Sequence, residues 1–353
     1  MDWWDVSYNW LAGCSKVSPA CDNCWAPRFI NRMGLDRTKF AGVTSPDGGW
    51  TGQVLVLHNT LRQLQPLRWA RPRWCFVNIM ADTFHQDVPL SAIADQLALA
   101  AILPQHIWML CTKRERRMAQ VLGGSQTPEL VGRHIDRLLG NPAVQRAVQL
   151  GRAVLPANNQ VCWPLPNLWA GVTLESDNYL FRVTRYLAAT PAAVRFASSE
   201  PLMDRLAQLD TGLLDWLIVG GEDLPADVSP IRPLHPAWVE DLRDRCARTG
   251  TAFWFKQWGS SYPVGRGGRA GSRYTDPAVG GQDLWLAPDG TQHPDSQPGR
   301  QLVRRMHKNA AGRLLDNTGI LQVPAGWERH PAVTAHVAAH QVVISRPGTG
   351  TRP

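Results

Sequence analysis

Six short apolar runs, each breaking into polar residues at its end, constrain this chain more than any other feature. They are Trp74–Met80 before Ala-Asp-Thr, Ile107–Cys111 before Thr-Lys-Arg, Leu168–Thr173 before Leu-Glu-Ser, Val194–Ala197 before Ser-Ser-Glu-Pro, Trp216–Val219 before Gly-Gly-Glu, and Thr251–Phe255 before Lys-Gln-Trp. The runs are continuously apolar instead of alternating, as strands covered on both faces of a parallel sheet are. Helical periodicity lies between them. Ser91–Ile102 aligns Ile93, Leu97, Ala100 and Ala101 on one face. Ser176–Thr190 aligns Leu180, Val183 and Leu187 and stops at Pro191. Pro236–Thr249 aligns Trp238, Leu242 and Cys246 and stops at Gly250. Strand–helix alternation predicts an α/β fold, a partial or full (β/α) barrel, with a doubly wound open sheet as the runner-up. Val54–Leu57 is a candidate for one further strand.

A length of 353 residues suits either a barrel with insertions or about two domains. We assign residues 1–259 to the barrel, with a cysteine loop at 10–28. A helical insertion at about 115–167, with helical character at Pro128–Leu139 and Ala143–Leu150, is read as a subdomain or lid. Residues 260–353 form an irregular C-terminal extension with a basic glycine-rich loop, GRGGRAGSR, and a loose tail.

Hydrophobic residues make up 44% of the chain, enough to bury a core and to exclude wholesale disorder. No apolar run approaches the roughly 20 residues a membrane span needs. The start, MDWWDVSYNW, lacks the positive and apolar regions of a secretory signal, so a cytoplasmic setting with no membrane partner is expected, host cytoplasm if the chain is phage-encoded. The net charge of +8 permits a nucleic-acid partner without requiring one. Candidates for a cationic rim are Arg28, Arg32, Lys113, Arg114, Arg116, Arg117, Arg266 and Arg269.

The seven cysteines are an odd count, which argues against a disulfide framework. Cys75, Cys111, Cys162 and Cys246 sit in apolar surroundings and read as buried, inert thiols. Cys14, Cys21 and Cys24 instead form C-x6-C-x2-C in one short loop. Three soft thiolates are a metal-ligand constellation. A structural zinc would need a fourth ligand from elsewhere. Three cysteines with an open position suit an iron–sulfur cluster, and a loop without metal is the remaining reading. Trp3, Trp4, Trp10 and Trp25 crowd this loop and would shield a cluster from water.

In an α/β barrel the site lies at the carboxyl ends of the strands. There the chain carries Asn78, Asp82, His85, Lys113, Glu175, Ser199, Glu200, Gly220, Gly221, Glu222 and Lys256. Lys256 directly follows an apolar strand, so it needs a carboxylate or ligand, and Glu200 or Glu222 could serve. The Gly220–Gly221 pair would let a ligand approach the backbone closely. His85 reads as a metal ligand, a general acid/base or a loop hydrogen-bonder. Lys256, Glu200, His85 and Asp82 are the candidate catalytic residues.

The segment WLAGCSKVSPACDNCWAPR resembles the opening motif of the phage-type three-cysteine-motif family, an uncharacterised, radical-SAM-like group. The resemblance continues through RPRWCFVNIMADTFHQDVP, HIWMLCTKRERRM, LPNLWAGVTLES, VRFASSEPLM, LDWLIVGGED and HPAWVEDLRDRCARTGTAFWFKQWG, with KNAAGRLLDN further on. It implies a barrel of radical-SAM type. It further implies a 4Fe–4S cluster on Cys14, Cys21 and Cys24 and S-adenosylmethionine on the open iron. Asn78, Lys113, Glu175, Ser199, Gly220, Gly221, Glu222 and Trp25 become candidates for holding that cofactor. The implied activity is a radical reaction on a nucleobase or nucleotide, as in DNA modification or repair, with an electron-donor protein and a possible further partner protein. The alternative is a non-catalytic or zinc-stabilised nucleic-acid-binding barrel. The x6–x2 spacing departs from the x3–x2 spacing usual in radical-SAM enzymes, and Gly-Gly-Glu falls late in the chain.

Overall fold

Every apolar run becomes a strand. The computed structural model describes residues 3–38, 40–57, 63–157, 160–224, 232–264, 283–305, 311–315 and 319–340. In chain order the strands are β1 (Val6–Tyr8), β2 (Leu11–Ala12), β3 (Leu55–Val56), β4 (Trp74–Val77), β5 (Ile107–Thr112), β6 (Leu168–Thr173), β7 (Val194–Ser199), β8 (Trp216–Gly220) and β9 (Ala252–Gln257). Seven of them form one sheet in the order β1-β4-β5-β6-β7-β8-β9, every pair parallel. The order never reverses, which removes the doubly wound alternative, whose strand order must switch direction. The sheet is a parallel half-barrel. One strand expectation needs correction. Leu55–Val56 pairs antiparallel with β2, off the main sheet. The seventh barrel strand is instead β1, too short to announce itself by composition.

The helices are α1 (Trp25–Arg32), α2 (Leu90–Ile102), α3 (Glu115–Leu122), α4 (Thr127–Leu139), α5 (Pro142–Gln149), α6 (Pro236–Thr249) and α7 (Pro331–His340). Between β6 and β7 the chain makes a π-helical segment, Arg182–Leu187, that buries Val183 and Leu187. The helices inserted after β5 pack against α2. Val131 and Ile135 of α4 and Val144 of α5 join Ile93 and Leu97 of α2 in one buried cluster on the outer side of the sheet. His134 meets Asp95 across that interface at 2.6 Å.

Strand alternation splits the interior into two layers. Cys75, Trp108, Ala170, Ala197, Leu217 and Phe253 face the helices. Trp74, Trp169, Phe196, Trp216 and Trp254 face the opposite way and form the barrel's inner filling. The Trp74 and Trp216 rings stack with centroids 5.4 Å apart, and Trp169 lies edge-on to Trp74, also at 5.4 Å. Most of the surplus tryptophan is therefore core. Gly171 belongs to this layer because a Cβ there would sit 2.4 Å from the Phe196 ring.

The C-terminal segment seals the inner layer. Gln322 O accepts from Trp216 Nε1 at 2.9 Å, and Trp327 lies on Trp169 at 4.9 Å. Ala332 and Val333 of α7 are buried against the same cluster. A small antiparallel sheet of β10 (Ser261–Pro263), β11 (Asp283–Leu286), β12 (Gln292–His293) and β13 (Gln301–Arg305) precedes it. The GRGGRAGSR stretch, with Arg266 and Arg269, and the chain's tail lie outside the described residues. Among the described residues no helix is long and apolar enough to cross a membrane.

Candidate active site at the carboxyl end of the sheet

The cysteine loop is built from its first residue. Gly13 has a φ of 94°, and a Cβ there would lie 2.0 Å from the Gln53 carbonyl, so only glycine fits. Its N–H donates to Met80 O at 3.1 Å, which ties the loop to the end of β4. Asn78, with a φ of 58°, uses its whole side-chain amide on this junction. Its Oδ1 accepts from Trp10 N and Leu11 N at 3.1 and 3.3 Å, and its Nδ2 donates to Thr83 Oγ1 and Gln96 Oε1 at 2.9 and 3.0 Å. Asn78 therefore positions the loop.

Two clamps hold the loop from opposite sides. On the Cys14 side, Arg114 donates to Asp82 Oδ2 at 2.9 Å, Ser15 O at 3.0 Å and Ser15 Oγ at 2.7 Å, and approaches Cys14 Sγ at 3.5 Å. Asp82 also accepts from Thr112 Oγ1 at 2.6 Å and Lys113 N at 3.2 Å. It is a structural hub with its oxygens committed. His85 is buried, with Nε2 2.8 Å from Ser15 Oγ, and burial lowers its pKa, keeping the ring neutral near pH 7. On the other side, Glu222 accepts from Asn23 Nδ2 at 3.2 Å and pairs with Arg232, which in turn donates to Pro19 O at 2.8 Å.

Between the clamps lies a cavity of about 210 Å³. Cys14, Cys21, Cys24 and Trp25 line it from the loop; Lys113, Thr173, Ser198, Glu200 and Lys256 line it from the strand ends; Trp3, Trp4 and Phe76 wall it. Asn78, Asp82 and Arg114 also reach it. The Cys14 thiol is pushed up to about 11, first by burial and then by the nearby Asp82 charge. Cys21 goes the other way: burial opposes its ionisation, but the Lys113 ammonium and hydrogen bonds from Val17 and Ser18 outweigh burial and lower its pKa. Lys113 is raised reciprocally, against its own burial, by Cys21, Glu175, Cys24 and Cys111. Opposite the thiols, Lys256 Nζ donates to Glu200 Oε2 at 3.0 Å and lies 5.3 Å from the Trp4 ring centre. Glu200 Oε1 is buried and has no hydrogen-bond partner among the described residues.

Several expected members do not reach the cavity. Glu175 is fully buried and accepts from Arg182 at 2.7 Å. Strand alternation turns Ser198 inward and Ser199 toward the helices, so the serine expected in the site is the wrong one of the pair. Gly221 is required by the chain's own packing, and Gly220 is close to Glu200. A Cβ on Gly220 would stand 3.3 Å from Glu200, and one on Gly221 would stand 2.0 Å from the Trp258 carbonyl. His85 and Glu222 act on the loop from behind. Arg117 is spent on the His85 and Val88 carbonyls and does not form a rim. Sequence reasoning placed Ser198 at a strand end only as one of a pair with Ser199, missed the roles of Ser15 and Thr173, and missed Cys111, a fourth thiol that lines the cavity with its pKa raised by burial to about 12.

Among the described residues no three His, Cys, Asp or Glu side chains close around a single ion. A tetrahedral zinc would require sulfurs about 3.8 Å apart, from its bonds of about 2.3 Å. An iron–sulfur cluster takes each thiolate on a different iron and so spaces its ligands more widely. Three soft thiols in one cavity beside a lysine suit the larger group in donor type and charge. A larger concavity, about 410 Å³, lies at Arg116 and Arg185, but it holds no thiol, so the smaller one is the candidate for chemistry. The model of a protein family described as "Protein of unknown function (DUF5131)" matches residues 1–324. No curated protein and no solved structure matches the chain.

Proposed function

The chain belongs to the DUF5131 family, and we propose that it is an iron–sulfur, S-adenosylmethionine-dependent radical enzyme acting on a nucleobase or nucleotide. One observation carries this reading. The three thiols of the loop after the first barrel strand open into the same cavity as the Glu200–Lys256 pair, at the carboxyl end of a parallel sheet. A cluster bound there would supply the electron that cleaves S-adenosylmethionine reductively, giving a carbon radical able to take hydrogen from a substrate. Cys14, Cys21 and Cys24 would hold it, and the Lys113 ammonium offsets the thiolate charge. Arg114 and Glu222 fix the loop so that the thiols stay in place without metal-driven ordering. Trp3, Trp4 and Phe76 exclude water from the cavity floor. Glu200 and Lys256 touch the space left for substrate. There Glu200 Oε1 accepts from a substrate N–H or O–H, and Lys256, bonded to Oε2, fixes the carboxylate's orientation.

The test is anaerobic reconstitution of the intact chain. About four irons per chain and a broad visible absorbance are expected, both lost in Cys14→Ala, Cys21→Ala and Cys24→Ala. With a reductant and S-adenosylmethionine, 5′-deoxyadenosine should form. A colourless protein that carries zinc, or no metal at all, would overturn the reading in favour of a non-catalytic binding barrel.

A further inference from the structure

The concavity without thiols remains to be explained. It lies between α3 and the Arg182–Leu187 segment and is lined by Arg116, Ala119, Gln120, Arg185 and Tyr186. The helix α3 begins just past the carboxyl end of β5, the end that carries the candidate site, and the Arg182–Leu187 segment belongs to the connection that follows β6. Its charge is unbalanced for an identifiable reason. The acid beside it, Glu115, is drawn inward to Arg182, whose Nε lies 3.4 Å from Glu115 Oε2, and Arg182 also holds Glu175. Among the described residues Arg116 and Arg185 form no ion pair, and both are exposed. The Arg185 guanidinium lies 5.4 Å from the Tyr186 ring centre, so a cation and an aromatic face are presented together. Two free guanidiniums, a side-chain amide and a phenol ring suit a phosphate flanked by a base. Guanidinium forks take phosphate oxygens bidentately, and bases stack on aromatic faces.

Arg116 stands two residues after Arg114, which lines the thiol cavity. Two residues span at most about 7 Å. A strand with one base in the thiol cavity is therefore within reach of this cleft. A base still stacked in a duplex cannot enter the cavity, and a single strand presents its base without the unstacking that flipping from a duplex costs.

We infer that the Arg116–Arg185–Tyr186 cleft binds the sugar–phosphate backbone of a single-stranded nucleic acid next to the base presented to the thiol cavity. This rests on the function proposed above for the place of the chemistry, not for the binding itself. The test is fluorescence anisotropy of a labelled 12-nucleotide single strand against the intact chain over a range of potassium chloride concentrations. Binding should weaken with salt, and Arg116→Ala and Arg185→Ala should each reduce the log–log slope by about 0.7. Each should also weaken binding at low salt by roughly tenfold, as expected for a lost charge-assisted contact. Tyr186→Leu should weaken binding without changing the slope. Arg133→Ala, a surface cation on α4 away from the cleft, is the control and should change neither. A duplex of the same sequence should bind more weakly, and a nucleoside monophosphate or inorganic phosphate should compete only at far higher concentration. Unchanged slopes in both arginine variants, equal loss in the control, or competition by monophosphate as strong as by the strand would overturn the inference. Iron content measured on the same preparations separates the two readings. Iron-loaded wild type with unaltered variant binding fails the cleft alone, whereas iron-free wild type with arginine-dependent binding fails the enzyme alone.

Discussion

The Arg114 guanidinium reaches Asp82, both oxygens of Ser15 and the Cys14 sulfur at once, and it is mostly buried while doing so. Breaking such a pair leaves Asp82 charged without its counter-ion, which costs about 3–5 kcal/mol at full burial. We expect Arg114→Ala to lose about 3 kcal/mol in a urea melt, near the low end of that range because Thr112 and Lys113 still bond Asp82. It should also retain less iron after anaerobic reconstitution. Arg114→Lys should recover part of the stability but little of the iron, because an ammonium cannot span Asp82 and Ser15 together. Equal iron in all three proteins would show that the loop orders itself. The cysteines were legible because their types and spacing lie within one segment. Arg114's role was not, because its partner Ser15 is 99 residues away and the fork geometry exists only once β5 and the loop meet.

At the scale of elements, the apolar runs announced their strands to within a few residues, and the helix Pro236–Thr249 lies where its periodicity places it. What periodicity left open was facing. Whether Ser198 or Ser199 enters the site depends on strand register, and register depends on Phe196 packing over Gly171. The Gly-Gly pair left a related question open: a close backbone approach is visible in composition, but the approaching group is not. Gly221→Ala would drive a Cβ into the Trp258 carbonyl, and backbone cannot yield as a flexible side chain does. A loss of about 1–3 kcal/mol is expected, in the range of overpacked cores. Circular dichroism melts should show it, and a melt identical to wild type would refute the packing account. A second consequence concerns pH at the start of β5. His106 is wholly buried, its Nδ1 accepts from Arg73 N at 3.0 Å, and burial lowers its pKa to about 4. On acidification the unfolded chain takes up the proton near pH 6.5 while the folded chain resists it until about 4. This contribution to stability is present in full above pH 6.5 and is lost progressively as pH falls toward 4. In His106→Asn, which keeps an acceptor but does not titrate, the melting temperature should fall less between pH 7 and 5 than in wild type. Parallel profiles would show that His106 titrates normally.

Along the barrel axis the molecule divides into a dry half and a chemical half. Below, Trp74, Trp169, Trp216 and Trp254 fill the interior and α7 seals it. Above, thiols, Lys113 and the Glu200–Lys256 pair surround the cavity. Trp3 joins the halves: its ring packs on Trp216 at 5.5 Å while its Nε1 donates to Glu200 Oε2 at 3.4 Å. This division makes stability and metal loading separable. Val333 of α7 is completely buried against the aromatic layer, so Val333→Asp places a carboxylate among apolar side chains. An unpaired buried charge belongs to the mutations that cost more than about 4 kcal/mol, a large share of a domain's stability. Val333→Asp should therefore unfold or precipitate, and Val333→Ala should lower the melting temperature while loading iron normally. Cys24→Ser should do the reverse, keeping the metal-free melting temperature within a few degrees and losing iron. The decisive comparison is melting temperature and iron content on the same preparations. If Val333→Asp melted like wild type, α7 would be no part of the core. If Val333→Ala lost iron in proportion to stability, the two halves would be one cooperative unit, and the tryptophan layer would be acting on the site above it.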